Sequence, residues 1–289
     1  LVREFTNLLG SEEAEALLEA DNGQPPITAQ INTCRATMEH TLERLAEAGV
    51  EAHPHPWLPD CLVLSGTGNL EHLTAFREGL FYIQDPAARL AVEAADPRPG
   101  MRVLDACAAP GGKTFAAAIR MGGAGEIQSC DIHAHKEKLI QAGAERLGFT
   151  CVKTAVMDGK KHRPAFENAF DVVIADVPCS GLGIIRKKPD IRYKDPEPLA
   201  GLPAVQSAIL DNVATYVKPG GVLLYATCTL LERENGDVVR GFLDRNKDFT
   251  LEKFQLPEPL GRAENGMFTF WPQRHGTDGF FIAKLRRNT

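Results

Sequence analysis

The sequence contains no run of about 18 apolar residues, so it offers no membrane-spanning helix. Its first 20 residues carry too many acids for a secretion signal, which leaves the cytoplasm as the expected compartment. It has no C-x-x-C pair, and its seven cysteines are an odd number. Both features argue against a disulfide framework and a structural zinc site; the thiols read as buried hydrophobes or reactive groups. His53-Pro54-His55 and His133-Ala134-His135 have no third ligand in register, so no metal is expected. Positive charge is not in excess either: 32 basic residues against 38 acidic ones leave a net charge of −6, which by itself does not point to nucleic acid. Internal repeats and low-complexity tracts are absent. What is there is an ordinary globular composition, 289 residues and 44% hydrophobic, with room for one large or two unequal domains and expected as a monomer. The chain begins Leu1-Val2 without Met, as a fragment or a processed form does.

The stretch from Val103 to Thr114 organises the rest. A short apolar run ends in Asp105 and breaks into the small-residue turn Ala106-Cys107-Ala108-Ala109-Pro110-Gly111-Gly112, followed by Lys113 and an alanine-rich helical pattern. Strand, tight turn and helix N-terminus together make a ligand site, because the first helical N–H groups lack internal partners and the glycines permit close approach. It is not a P-loop, since Cys107 stands where the opening glycine belongs, and the dinucleotide fingerprint G-x-G-x-x-G is missing. Asp131 closes the next strand at 131 − 111 = 20 residues from Gly111, the usual interval for a carboxylate that meets ribose hydroxyls. A nucleoside bound without a pyrophosphate fits best, and S-adenosyl-L-methionine is the expected cofactor.

Residues 1–80 read as a small α+β subdomain, with a helix over 11–20, a strand over 27–32, a helix over 37–48 and a strand over 61–65. It is either a nucleic-acid accessory or a structural cap. Residues 81–289 alternate strand and helix, which builds a doubly wound, mostly parallel sheet of Rossmann-like type with a late antiparallel strand over 278–285. Asp105, Asp131, Asp158 and Asp176 each fall at or just beyond a strand end, where such sheets bind ligands.

Two cysteines also follow strand ends, Cys179 in Asp176-Val177-Pro178-Cys179-Ser180-Gly181 and Cys228 in Ala226-Thr227-Cys228-Thr229. Thr229 and Glu232 have the spacing of a capping box, which would set Cys228 just before a helix and favour its thiolate. Methylation at carbon 5 of a pyrimidine needs such a thiolate: adding to carbon 6, it makes carbon 5 enamine-like. Asp176 is spaced to sit at ring nitrogen 3, where charge develops. Arg186, Lys187, Lys188, Arg192 and Lys194 crowd nine residues after the Cys179 loop and are expected to contact RNA phosphates; a solvated loop is the alternative.

These three motifs resemble the signatures of the RNA cytosine-5 methyltransferases of the NOL/NOP/Sun superfamily, over roughly residues 20–287. Arg186-Lys187-Lys188-Pro189-Asp190-Ile191 and Pro25-Pro26-Ile27 are most similar to the bacterial Sun-type enzymes that modify small-subunit ribosomal RNA. The resemblance implies a Rossmann-like methyltransferase fold and an RNA substrate. It implies that Cys228 is the nucleophile and Cys179 aids release, and that residues 107–113 (Cys107, Ala108, Ala109, Pro110, Gly111, Gly112, Lys113), Asp131, Asp158 and Asp176 bind S-adenosylmethionine. Those bacterial enzymes carry a helical NusB-like domain upstream, of which at most the tail is expected here. A DNA cytosine-5 methyltransferase and a non-catalytic RNA-binding assembly factor are the competing readings; the Thr-Cys motif argues against the first, and both thiols with four acids against the second.

Overall fold

The computed structural model describes residues 1–194 and 199–289. Two short helices open the chain, α1 (Val2–Leu9) and α2 (Ser11–Asn22). Their apolar side chains Phe5, Ala14 and Leu17 pack on Leu182, Ile185, Leu230 and Leu231, so this hairpin supports the loops that follow the two motif cysteines. The spacing of Ala14, Leu17 and Leu18 marks α2, and Val2, Phe5, Leu8 and Leu9 carry the same helical spacing in α1, which the sequence reading left out.

A small antiparallel sheet comes next. Its elements are β1 (Ile27–Ile31), α3 (Met38–Glu47), β2 (Glu51–Pro54), β3 (Cys61–Ser65), α4 (Thr74–Arg77) and β4 (Phe81–Ile83), with strand order β2-β3-β1-β4. Thr37 caps α3 by accepting the His40 N–H. Ala29, Ile31, Leu45, Leu62, Leu64 and Phe81 form one core between sheet and helix. β4 pairs with β1 and Phe81 fills that core, and the Gln84 N–H still donates to the Thr28 carbonyl at 3.1 Å, so the sheet reaches a few residues beyond position 80.

The larger sheet follows: α5 (Pro86–Ala95), β5 (Arg102–Asp105), α6 (Gly112–Arg120), β6 (Glu126–Asp131), α7 (Ala134–Leu147), β7 (Val152–Val156), β8 (Phe170–Asp176), α8 (Leu202–Ala214), β9 (Val217–Thr227) and α9 (Gly236–Arg245). The chain then runs through β10 (Phe249–Leu251), the β11 (Phe254–Gln255) and β12 (Arg262–Ala263) pair, β13 (Met267–Phe270), α10 (Pro272–His275) and β14 (Phe280–Arg287). The order is β10-β14-β9-β8-β5-β6-β7, parallel from β7 to β9, with β14 antiparallel to β9 and β13 also paired to β14.

Period-two side chains explain why both faces are covered. Val103, Val172, Ile174, Val222 and Leu224 point into the core against α5 and α6, while Leu104, Val173, Ala175, Leu223 and Tyr225 point into the core against α8 and α9. Each buried aliphatic side chain contributes roughly 1.5 to 3 kcal/mol relative to exposure. The strand order reverses between β5 and β8, and a crevice at that reversal is where such sheets bind ligands.

Candidate active site

The turn after β5 is held from below. Asp105 is fully buried, and its Oδ2 accepts from the Thr114 hydroxyl at 2.8 Å; Thr114 is in turn hydrogen-bonded to Ser129. Burial pushes the Asp105 carboxyl up to about 7, against the opposing pull of Thr114 and Lys113. Its other oxygen, Oδ1, is buried with no hydrogen-bond partner among the described residues. Gly111 starts α6 with φ +110°, a backbone state that L side chains rarely adopt, and a Cβ there would lie 2.5 Å from the Phe115 ring.

Around this turn stand the other acids. Asp131 ends β6 and accepts the His133 N–H at 3.0 Å. Beside it, Ile132 and, on β7, Val156 expose apolar side chains (51% and 45%). Asp158 accepts the Lys160 N–H at 3.0 Å, and the adjoining Gly159 lies against Cys107. Burial raises the Cys107 thiol far above the ordinary range, so this cysteine is an inert wall of the turn. The glycine turn, the Asp131 carboxylate and the exposed apolar pair fit an S-adenosylmethionine-type cofactor: backbone for the amino-acid end, acid for ribose, apolar surface for the base.

Lys113 departs from that cradle. Its ammonium turns to Asp176 at 2.5 Å and sits 4.8 Å from the Phe280 ring centroid, with only 8% of the side chain exposed. Burial opposes its charge, but the Asp176 carboxylate together with Asp105 and Cys228 raises its pKa on balance. Lys113 therefore joins the crevice to the two sulfurs.

Cys179 and Cys228, 49 residues apart in sequence, meet with their sulfurs at 3.3 Å and are free thiols. The hydrogen bond with Cys228, burial, and the nearby Asp176 and Glu234 charges hold the Cys179 pKa well above the usual thiol range. Backbone links lock the two turns: Gly183 N–H donates to the Cys228 carbonyl at 2.9 Å, and Gly279 N–H donates to the Gly183 carbonyl at 2.7 Å. A Cβ on Gly183 would fall 1.9 Å from the Gly279 oxygen, so only glycine allows this approach.

One expectation is corrected here. Thr229 and Glu232 form no capping box. Thr229 hydrogen-bonds the Ser180 hydroxyl at 2.7 Å, Glu232 pairs with Arg240, and α9 starts only at Gly236. Cys228 is thus not at the N-terminus of α9: Thr229 bonds across to Ser180 and locally accepts the Leu231 N–H at 3.4 Å, and Glu232 turns forward to Arg240. Of the basic run, Arg186 and Lys187 lie against two buried acids, Asp85 and Asp278. Lys187 Nζ lies 2.7 Å from Asp278 and 3.4 Å from Asp85; Arg186, with 7% of its side chain exposed, lies 3.4 Å from Asp278. Burial, with Asp85 beside it, raises Asp278 to about 6 despite these cations. Lys188, Arg192, Tyr193 and Lys194 stay exposed, Tyr193 at 86%. Asp85 also caps α5, accepting the Ala87 N–H at 2.9 Å; the Asp85-Pro86 pair before an alanine-rich run was the available signal for that role.

Sheet order, glycine turn and strand-end acids together define an α/β domain of the Rossmann-like methyltransferase type. Residues 92–286 match the 16S rRNA methyltransferase RsmB/F model and residues 1–71 the ferredoxin-like domain of RsmF/B-like methyltransferases. The chain belongs to the RsmB/F family. The probable ribosomal RNA small subunit methyltransferase B of Bacillus subtilis is 39% identical over 99% of this chain and 65% of its own length. The crystal structure of PH0851 superposes with TM-score 0.93 at 33% identity, over 99% of this chain and 65% of that one. NSun6 from Pyrococcus horikoshii with SFG superposes at 0.86 and 23% identity, over 100% of this chain and 98% of that one, a likeness of fold. The chain spans just under two thirds of the length of the first curated relatives it matches. Among the described residues no helix is long and apolar enough to cross a membrane, and no cluster of three metal-binding side chains occurs.

Proposed function

We propose that this chain transfers a methyl group to carbon 5 of a cytosine in RNA, with ribosomal RNA as the substrate class, through a covalent bond between Cys228 and the base. The observation that carries the reading is the 3.3 Å approach of Cys179 and Cys228 beside the Lys113–Asp176 pair. Residues 107–112, Asp131 and Asp158 hold S-adenosylmethionine, which supplies an electrophilic methyl group. Cys228 adds through sulfur to carbon 6, and the ring electrons move toward carbon 5 as negative charge develops at nitrogen 3. Asp176 and Lys113 stand at that edge; since Asp176 is ion-paired, the ammonium of Lys113 is the proton donor of the two. Carbon 5 takes the methyl group, releasing the demethylated cofactor; a solvent water then takes the carbon 5 proton, the carbon 6–sulfur bond breaks with its electron pair returning to Cys228, and nitrogen 3 gives its proton back to Lys113. Cys179, its sulfur 3.3 Å from that of Cys228, serves this last stage as the thiol that reprotonates the leaving sulfur. Lys188, Arg192, Tyr193 and Lys194 offer the exposed basic and aromatic surface for the RNA strand.

The experiment is a pair of variants assayed with RNA from cells lacking the protein. Cys228→Ala is expected to yield neither 5-methylcytosine nor an adduct, and Cys179→Ala to accumulate a denaturant-resistant RNA adduct that needs S-adenosylmethionine. The reverse pattern moves the nucleophile to Cys179, and full activity in both variants refutes the reading.

A further inference from the structure

The segment after Cys228 carries two buried residues that the chemistry above leaves unused. Asn235, 1% exposed, holds both neighbours of Cys228: its Oδ1 accepts from the Thr227 hydroxyl at 2.6 Å, and its Nδ2 donates to the Thr229 carbonyl at 3.0 Å. Glu234, 0% exposed, holds the neighbours of Cys179. Its Oε2 accepts from the Ser180 N–H at 2.9 Å and from Gln206 Nε2 at 2.8 Å, and the same Gln206 amide donates to the Pro178 carbonyl at 3.0 Å. The Tyr225 hydroxyl donates to the Glu234 carbonyl at 2.6 Å and ties the segment to β9. Each sulfur is therefore gripped on both sides, and the two grips come from adjacent residues of one turn.

We propose that Glu234 and Asn235 are positioning residues that set the two thiols of the active site against each other, Asn235 through the Cys228 turn and Glu234, with Gln206, through the Cys179 turn. Glu234 has a second effect that geometry alone does not provide. Around Cys179 stand Tyr225 from β9 and Cys228 just after it, Asp176 from β8 with its partner Lys113 from α6, and Glu234. The Glu234 charge is one of those that keep the proton on Cys179. One residue thus places that thiol and biases its protonation. The inference rests on the proposed two-thiol chemistry for its purpose, but the part of its test that concerns Glu234 does not need RNA.

The test is alkylation of the whole chain by iodoacetamide from about pH 6 to about pH 10, with Cys179 and Cys228 quantified separately by peptide mass spectrometry. Glu234→Gln keeps the shape and an acceptor for Ser180 but removes the charge. It is expected to move the Cys179 profile down by about one pH unit, about tenfold faster labelling at a fixed pH, with the Cys228 profile moving less. Asn235→Ala is expected to lower kcat about 10²-fold with little change in KM for RNA, as misplacement of a reacting group does. Asn235→Asp, which keeps the acceptor for Thr227, serves where the alanine variant does not fold, and a partial loss is expected. An unchanged Cys179 profile in Glu234→Gln overturns the inference, as does wild-type kcat in a folded Asn235 variant. If the unmodified chain does not methylate RNA, the proposed function fails while the labelling profiles still decide the role of Glu234.

Discussion

The cofactor crevice and the two-sulfur centre share one end of the same sheet but are built differently. The crevice is a single stretch of main chain, Asp105 to Thr114, joined by acids at the next two strand ends. Its geometry follows from local rules: a strand must end, a glycine must take φ +110°, and a helix must begin. The sulfur centre has no local logic. It joins turns 49 residues apart, held by side chains from a third segment and by a glycine contact with a fourth. A locally encoded site tolerates distant change, whereas a centre assembled from four segments depends on each of them.

The largest expected effect tests the crevice as a buried charge site. Folded Asp105 keeps its proton up to about pH 7, whereas an unfolded aspartate loses it near pH 4. The folded state binds the extra proton between those values, so this group's stabilisation is greatest below about pH 4 and falls by about 4 kcal/mol as pH rises to 7. In Asp105→Asn the melting temperature should lose that fall; an identical pH slope in variant and parent would place the penalty elsewhere.

Next in size is the glycine contact on the sulfur side. Gly183→Ala drives a Cβ into the Gly279 carbonyl, which must shift the Cys179 turn. A loss of about 10²-fold in kcat is expected, with S-adenosylmethionine affinity by calorimetry unchanged. If both fall together, crevice and centre are one cooperative unit and the contrast collapses.

Asp131→Ala should do the converse, weakening cofactor binding by about 1 to 3 kcal/mol while Cys179 and Cys228 keep their alkylation profiles. The smallest effect belongs to the exposed loop. Lys188→Ala should lower the slope of log K against log salt for RNA binding by about one unit, without moving the melting temperature; an unchanged slope would leave Lys188 a solvated side chain.

The legible part of the site was its contiguous part. Pro110-Gly111-Gly112 and the 20-residue interval to Asp131 announced the crevice because backbone geometry acts over a few residues. The late strand was readable from its alternation, and it pairs with β9 in antiparallel register. The capping box failed because Thr229 and Glu232 found other partners. The partners of Arg186 were hidden for a related reason: Asp85 and Asp278, 101 and 92 residues away from it by position, are buried acids that only the packed chain brings beside it.

The order of strands and helices, the glycine turn and the position of each acid and thiol at a strand end were thus determined by the sequence itself, through periodicity and local backbone preference. Which thiol faces which, that Lys113 reaches Asp176, and that Glu234 and Asn235 grip both cysteine turns were decided only by tertiary structure. The physical reason is that a buried polar group takes whichever partner the packed chain brings within hydrogen-bonding distance, and sequence spacing carries no record of that distance.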